Sequence, residues 1–255
     1  MPEPPPLLAA EGLGVRFGDF RALGGVSLRV RQGGIHSVIG PNGAGKTTLF
    51  NALTGARPPT EGAVTLAGRE VTRMPAHRRA RLGMSRSFQV TNLFAELAVR
   101  ENLRLAVQAA RGRSAWAFWH APSRLPGVAE AVEGLLSLTG LAARADARAG
   151  SLPHGGQRAL EIGMALASDP KLVLLDEPLA GMGVDDVART KALIRGLAPA
   201  RTVLLIEHNM GVVLDISDRI TVLARGRVIA EGPPAAIRAD PGVREAYLGS
   251  TGAAA

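Results

Sequence analysis

Cysteine is absent from the 255 residues, which excludes a disulfide framework and any metal site built on thiolates. Lysine is nearly absent as well, because 27 of the 30 basic residues are arginine. No apolar run approaches the roughly 18 residues that a membrane span requires. The proline-rich residues 1–6 also lack the basic and apolar regions of a signal peptide. We therefore expect a cytosolic chain that would serve a membrane only through a partner.

Basic residues outnumber acidic ones, which gives a formal net charge of +8 and an isoelectric point near 11.1. A strong positive charge suggests nucleic acid as one class of partner. The arginines are scattered, however, and the densest group, Arg78, Arg79 and Arg81, adjoins a predicted helix without interleaved aromatic residues. A nucleic-acid interface would need such a patch. We predict no nucleic-acid partner; a polyanionic ligand or an anionic membrane face fits the charge better.

One glycine-rich segment has the spacing of a phosphate-binding loop, Gly-x-x-x-x-Gly-Lys-Thr. Its residues are Gly40, Pro41, Asn42, Gly43, Ala44, Gly45, Lys46 and Thr47. The apolar residues 35–39 predict a buried strand before it, and residues 48–54 predict a helix that Gly55 ends. In that context backbone N–H groups and the helix dipole face a phosphate chain, Lys46 reaches the β- and γ-phosphates, and Thr47 holds Mg²⁺. Thr48 would assist at the α-phosphate.

Two short apolar runs, residues 172–175 and 203–206, predict buried parallel strands. Asp176 and Glu177 follow the first run at once, and Pro178 bars a regular continuation, which fixes the direction of the two carboxylates. Phosphoryl transfer to water needs positioning, charge neutralisation and an aligned nucleophile. Adjacent carboxylates downstream of a phosphate loop suit that reaction. Residues 220–223 and 228–229, separated by Arg225 and Gly226, predict a hairpin.

These motifs occur in a fixed order: the phosphate loop, Gln89 after Phe88, the segment 152–157, Asp176-Glu177 and His208. From residue 7 to residue 249 this order resembles the ATPase subunits of ABC transporters. The resemblance implies an α/β fold: a P-loop NTPase (RecA-like) core with a parallel sheet, an antiparallel β-subdomain and an inserted α-helical subdomain at about residues 90–165. Helical spacing in residues 98–110 and 128–138 agrees with the insert. Residues 1–6 and 250–255 would be tails.

The resemblance also implies ATP and Mg²⁺ as ligands and gives the site residues their roles. Glu177 would polarise the attacking water, and His208 would contact the γ-phosphate. Gln89 would reach Mg²⁺ or that water, and Asp176 would hold Mg²⁺ through a water molecule, together with Thr47.

An aromatic residue stacks on adenine in this family. Phe17, directly before Gly18, matches that position, with Phe20 as its rival and burial in the β-subdomain as the alternative for both.

The segment that resembles the signature motif departs from its commonest form, because Pro153 replaces a serine. We expect His154, Gly155, Gly156 and Gln157 to contact ATP through backbone N–H groups and the two polar side chains. In this family the signature serves the nucleotide of the opposite subunit, which implies a head-to-tail dimer. Gly183 stands where an aspartate is usual, so the chain could form the weaker half of a heterodimer. A homodimer and a pair with a sister ATPase both remain open.

Within the family the chain is similar to the ATPase subunits of branched-chain (hydrophobic) amino-acid importers, in residues 85–89, 92–94, 160–164, 204–208 and 245–249. The partners would be membrane permease subunits, a second ABC ATPase and, indirectly, an external substrate-binding protein. The chain would be peripheral on the cytoplasmic face of the plasma membrane. ATPases of urea importers and of lipopolysaccharide exporters are the alternatives. A soluble ABC protein that acts on ribosomes or in DNA repair would normally have a second cassette or a long coiled-coil insert, and the sequence has neither. A small-molecule kinase would need an acceptor pocket, for which the sequence offers no residues. Trp116, Phe118 and Trp119 suggest a partner contact or, as we favour, a small satellite core.

Overall fold

The computed structural model describes residues 5–87, 93–111 and 127–248. Gln89 and the aromatic group of Trp116, Phe118 and Trp119 lie outside these ranges. None of the helices within them is both long and apolar enough to cross a membrane.

Within the described ranges the strands form two sheets. They are β1 (Leu8–Phe17), β2 (Phe20–Val30), β3 (Ile35–Ile39), β4 (Glu61–Leu66), β5 (Arg69–Glu70), β6 (Met84–Arg86), β7 (Leu172–Asp176), β8 (Thr202–Ile206), β9 (Arg219–Ala224) and β10 (Arg227–Gly232). One sheet is antiparallel, with the order β2-β1-β4-β5. The other has the order β10-β9-β3-β8-β7-β6 and is parallel except for the β9–β10 hairpin. The predicted fold class and hairpin are confirmed.

Helices connect these strands and cover the larger sheet. They are α1 (Lys46–Thr54), α2 (Ala76–Ala80), α3 (Val99–Ala110), α4 (Val128–Leu138), α5 (His154–Leu166), α6 (Val184–Leu197), α7 (Met210–Ile216), α8 (Pro234–Ala239) and α9 (Pro241–Leu248). Helices α3, α4 and α5 share one apolar cluster, which includes Leu103, Leu136 and Leu160. The helices predicted over 98–110 and 128–138 are thereby confirmed as α3 and α4.

Strands β3, β7 and β8 are buried along their whole length. Because neighbouring side chains of a strand point to opposite faces, β7 contributes side chains to two apolar clusters. Leu172 and Leu174 pack with α1 and the antiparallel sheet, whereas Val173 and Leu175 pack with α3, α4 and α5. Parallel pairing places the carboxyl ends of β3, β7 and β8 at one edge of the sheet. The residues with predicted roles in ATP hydrolysis lie at or directly after these three strand ends.

Candidate functional site

The phosphate-loop segment connects β3 to α1 in a space with no room for a larger first residue. Gly40 has a φ of +154°, and a Cβ at this position would lie 2.1 Å from the carbonyl oxygen of Leu223. Only glycine lets β3 turn beside the end of β9 here. The turn ends where α1 begins at Lys46, so the loop joins strand and helix as the sequence predicts.

The side chain of Lys46 is buried beneath the loop. Its Nζ donates to the carbonyl oxygen of Gly40 at 2.7 Å and to that of Pro41 at 3.0 Å. Burial lowers the pKa of Lys46, while the charges of Glu177 and Asp176 act in the opposite direction. The ammonium group therefore lies within the electrostatic reach of both predicted carboxylates.

The first turn of α1 provides a second source of positive potential. Its leading N–H groups lack carbonyl partners within the helix, and the helix dipole adds a partial positive charge there. The first turn contains no acidic residue. Thr47 in this turn is exposed and Thr48 is half-buried.

Asp176 ends β7 and is 1% exposed, which is rare for a carboxylate without a partner. Its Oδ2 lies 2.9 Å from Nη2 of Arg86 on the neighbouring strand β6. The other terminal nitrogen of Arg86 donates to Oδ1 of Asn51 in α1 at 2.7 Å. The guanidinium also lies 5.9 Å from the ring centroid of Phe50. Sequence analysis missed Arg86, because its partners are 35 and 90 residues away.

Glu177 adopts a left-handed backbone conformation with a φ of +45°. Its N–H donates to the carbonyl oxygen of Ile206 at 3.0 Å, which fixes the turn after β7 against the end of β8. The Glu177 side chain stays 30% exposed, and its Oε1 lies 3.9 Å from Nδ1 of His208. The two residues predicted to act on water and on the γ-phosphate therefore face each other.

Glu207 is a second residue that sequence analysis missed. Its carboxylate is buried and accepts hydrogen bonds from the N–H groups of Leu179 at 3.0 Å and His208 at 3.2 Å. Burial raises the pKa of Glu207, while these N–H donors and that of Asn209 oppose the shift. One buried carboxylate thus holds the segment after Glu177 and the segment of His208 together.

The signature-like segment forms the start of α5. Nε2 of His154 lies 3.2 Å from the carbonyl oxygen of Ala180, and Nε2 of Gln157 donates to the carbonyl oxygen of Leu152 at 3.0 Å. Both polar side chains therefore contact their own chain. Gly155 packs so tightly that a Cβ would lie 2.4 Å from Cγ of Asp186 in α6. Gly155 thus serves the packing of α5 against α6, whereas the nearest side chain to a Cβ at Gly156 would be that of Leu152.

Phe17 and Phe20 face each other across the β1–β2 turn and are 44% and 68% exposed. Neither ring is buried in the antiparallel sheet, so that alternative is wrong. The guanidinium carbon of Arg57 lies 4.5 Å from the ring centroid of Phe17, a cation–π contact. Stacking of adenine on Phe17 stays a prediction. Gln89, the remaining predicted site residue, lies outside the described residues.

The phosphate loop and its position between a buried strand and a helix place the chain in the class of P-loop nucleotide-binding proteins. Residues 23–180 match the family model described as ABC transporter, and residues 227–253 match the model described as branched-chain amino acid ATP-binding cassette transporter. The chain belongs to the ABC transporter family. It is an ATP-binding cassette, an ATPase that is coupled to transport.

Similar proteins match nearly the whole chain. The high-affinity branched-chain amino acid transport ATP-binding protein BraF of Pseudomonas aeruginosa is 42% identical over 250 residues, which are 96% of this chain and 98% of BraF. LivG of Escherichia coli (strain K12), with the same description, is 40% identical over the same shares.

Two solved structures support the fold. The ADP conformation of MJ1267, an ATP-binding cassette of an ABC transporter, has a TM-score of 0.84 at 33% identity and covers 95% of this chain and 98% of its own. A nucleotide-free ATP-binding cassette from an ABC transporter has a TM-score of 0.82 at 31% identity and covers 94% and 98%. The predicted family resemblance is confirmed.

Proposed function

We propose that the chain is the ATPase subunit of an importer for branched-chain amino acids, peripheral on the cytoplasmic face of the plasma membrane. The observation that carries this proposal is the match of residues 227–253 to the model of branched-chain amino acid cassettes, since the core of the cassette is common to many transporters. The descriptions of BraF and LivG favour the same substrate class. The partners would be permease subunits, a second ABC ATPase and, indirectly, a substrate-binding protein.

ATP would bind with its phosphates along residues 40–48 and its adenine on Phe17. The N–H groups at the start of α1 and the ammonium of Lys46 would supply the positive charge that the β- and γ-phosphates require. The Nζ of Lys46 donates to two loop carbonyls, which holds the ammonium within the loop. Arg57 covers one face of Phe17, and adenine would use the other face or replace the guanidinium.

The residues at the loop fit Mg²⁺. Among the described residues no group of three or more His, Cys, Asp or Glu is arranged to hold a metal ion. Mg²⁺ in nucleotide sites needs only one or two protein oxygens, since phosphates and water complete its shell. The hydroxyl of Thr47 would provide such an oxygen directly and the carboxylate of Asp176 through a water molecule, and Gln89 would add another. When bound, the ion would neutralise charge on the β- and γ-phosphate oxygens.

Hydrolysis would depend on Glu177, whose partly exposed carboxylate would orient and deprotonate the attacking water. His208, 3.9 Å from that carboxylate, would contact the γ-phosphate and hold the two groups in line. Residues 154–157 at the start of α5 would contact the ATP of the partner subunit, so each site of a head-to-tail dimer would need both chains. Closing and opening of that dimer would drive the permease.

The deciding experiment is uptake of labelled leucine and labelled urea by cells from which the gene has been deleted. The expected result is the loss of leucine uptake alone. The wild-type chain and the control Lys171→Ala should restore it, whereas Lys46→Ala should not. Lys171 is an exposed lysine remote from the phosphate loop in sequence, so the control tests the specific position. Loss of urea uptake alone, or of neither, would contradict the proposed substrate class.

A further inference from the structure

Arg158, in the second turn of α5, contacts the backbone on both sides of Glu177. Its Nη2 donates to the carbonyl oxygen of Asp176 at 2.7 Å, and its Nε donates to that of Pro178 at 3.3 Å. The side chain is only 10% exposed. A single guanidinium therefore spans the peptide segment that gives Glu177 its left-handed conformation.

The guanidinium is itself held by a carboxylate on the same helix. Nη1 of Arg158 forms an ion pair with Oε2 of Glu161, one turn further along α5, and both side chains are 10% exposed. A charge-assisted pair with so little exposure to water fixes the orientation of the planar fork. Movement of α5 would therefore be transmitted to the two carbonyls and not absorbed by a flexible side chain.

The start of α5 and the end of β7 also share a cavity of about 220 Å³. His154 and Gln157 line it from the helix, and Asp176 and Glu177 line it from the strand end. The space allows Glu177 to move its carboxylate while Arg158 holds its backbone. The helix start and the predicted base are thus direct neighbours, although they would serve different nucleotides.

We propose that Arg158 is a positioning residue that links the two ATP sites of the dimer. The proposal rests on the proposed function, in which residues 154–157 contact the ATP bound by the partner subunit while Glu177 serves the ATP of its own chain. Binding of the partner's ATP would shift the start of α5. Arg158 would pass this shift to the carbonyls of Asp176 and Pro178, and so to the position of the Glu177 carboxylate.

The test compares the full-length wild-type chain with Arg158→Gln, Arg158→Lys and a matched control, Arg104→Gln. Arg104 lies on α3, where it forms the same kind of pair with Glu101, three residues away at 2.6 Å, and its side chain is 22% exposed. Four quantities are measured: kcat and the Hill coefficient for ATP hydrolysis, the Kd of trinitrophenyl-ATP, and the melting temperature.

Arg158→Gln is expected to lower kcat by about 10- to 100-fold, because a small displacement of a catalytic group has that effect. The Kd should stay within about twofold, since the phosphate loop is untouched, and the Hill coefficient should fall towards 1. Arg158→Lys should give an intermediate kcat, because an ammonium cannot span both carbonyls. The proposal is overturned if Arg158→Gln has the kcat or the Hill coefficient of the wild type, or if its Kd rises by the same factor by which its kcat falls. It is also overturned if Arg104→Gln lowers kcat equally.

Glu177→Gln in the same assay separates this proposal from the proposed function. If Glu177→Gln keeps full turnover, another group activates water, and the part of the proposed function that makes Glu177 the base fails. If Glu177→Gln abolishes turnover while Arg158→Gln does not lower it, only the role of Arg158 is wrong.

Discussion

We predict that His36 makes the folded chain less stable as the pH falls below neutrality. His36 lies in the central strand β3 and is 3% exposed. Its Nε2 lies 2.8 Å from Oγ1 of Thr221, and the Thr221 hydroxyl donates to Oε2 of Glu231 at 3.0 Å. Since the hydroxyl hydrogen goes to Glu231, its oxygen accepts from His36. Nε2 therefore carries a proton, and the ring becomes charged only when Nδ1 is protonated as well.

Burial lowers the pKa of His36 from 6.5 to about 4, although the charge of Glu231 acts in the opposite direction; Arg219 lowers it further. The histidine of the unfolded chain thus takes up its proton first as the pH falls. Between these pKa values the unfolded state binds more protons, so the free energy of unfolding decreases with decreasing pH. The whole shift corresponds to about 3 kcal/mol, of which about 2 kcal/mol would be lost between about pH 7 and about pH 5.

The assay is urea-induced unfolding, followed by circular dichroism, of the wild-type chain and His36→Gln at both pH values. Glutamine keeps an N–H donor for Thr221 but takes up no proton. Comparison of the two chains cancels the other titrating groups, including Glu207, whose raised pKa contributes with the opposite sign. The wild type should lose about 2 kcal/mol more than His36→Gln. Equal losses in the two chains would refute the reasoning.

Two further substitutions test separate parts of the molecule. Arg79 is fully buried and donates to four backbone carbonyls, two of them at the end of α1, so Arg79→Met should lower the free energy of unfolding by about 3 kcal/mol or more. A melting temperature lowered by less than about 3 °C would contradict this. Glu177→Gln should bind trinitrophenyl-ATP like the wild type and lower kcat by about 10²- to 10⁴-fold; a normal kcat would show that another group activates water.

Local sequence was sufficient for the elements whose signal is continuous along the chain. The apolar run 35–39 is β3, the runs 172–175 and 203–206 are the greater parts of β7 and β8, and Gly55 ends α1 as predicted. Strands that are buried on both faces are uniformly apolar, so their sequence signal is unbroken. A single glycine is sufficient to end a helix, so the end of α1 could be read from one residue. The phosphate loop was likewise predictable, because its function resides in consecutive backbone groups.

The contacts that hold the site together were not predictable from local sequence. Arg79 belongs to the densest arginine group of the sequence, yet Arg79 is buried, whereas Arg78 and Arg81 are exposed. Arg158 and Glu207 likewise bond residues 18 to 28 positions away. A charged residue gives no local sign of burial, because its partners are brought to it only by the fold.

The backbone conformation of Glu177 can be explained by comparing magnitudes. A left-handed conformation costs a residue with a Cβ about 1–3 kcal/mol. The N–H of Glu177 bonds Ile206, Arg158 bonds the two flanking carbonyls, and Glu207 accepts from Leu179. Four hydrogen bonds at about 1 kcal/mol each outweigh that cost. Three of them involve a charged side chain that lies outside the motif, so the conformation of the predicted base depends on Arg158 and Glu207 more than on its own neighbours in sequence.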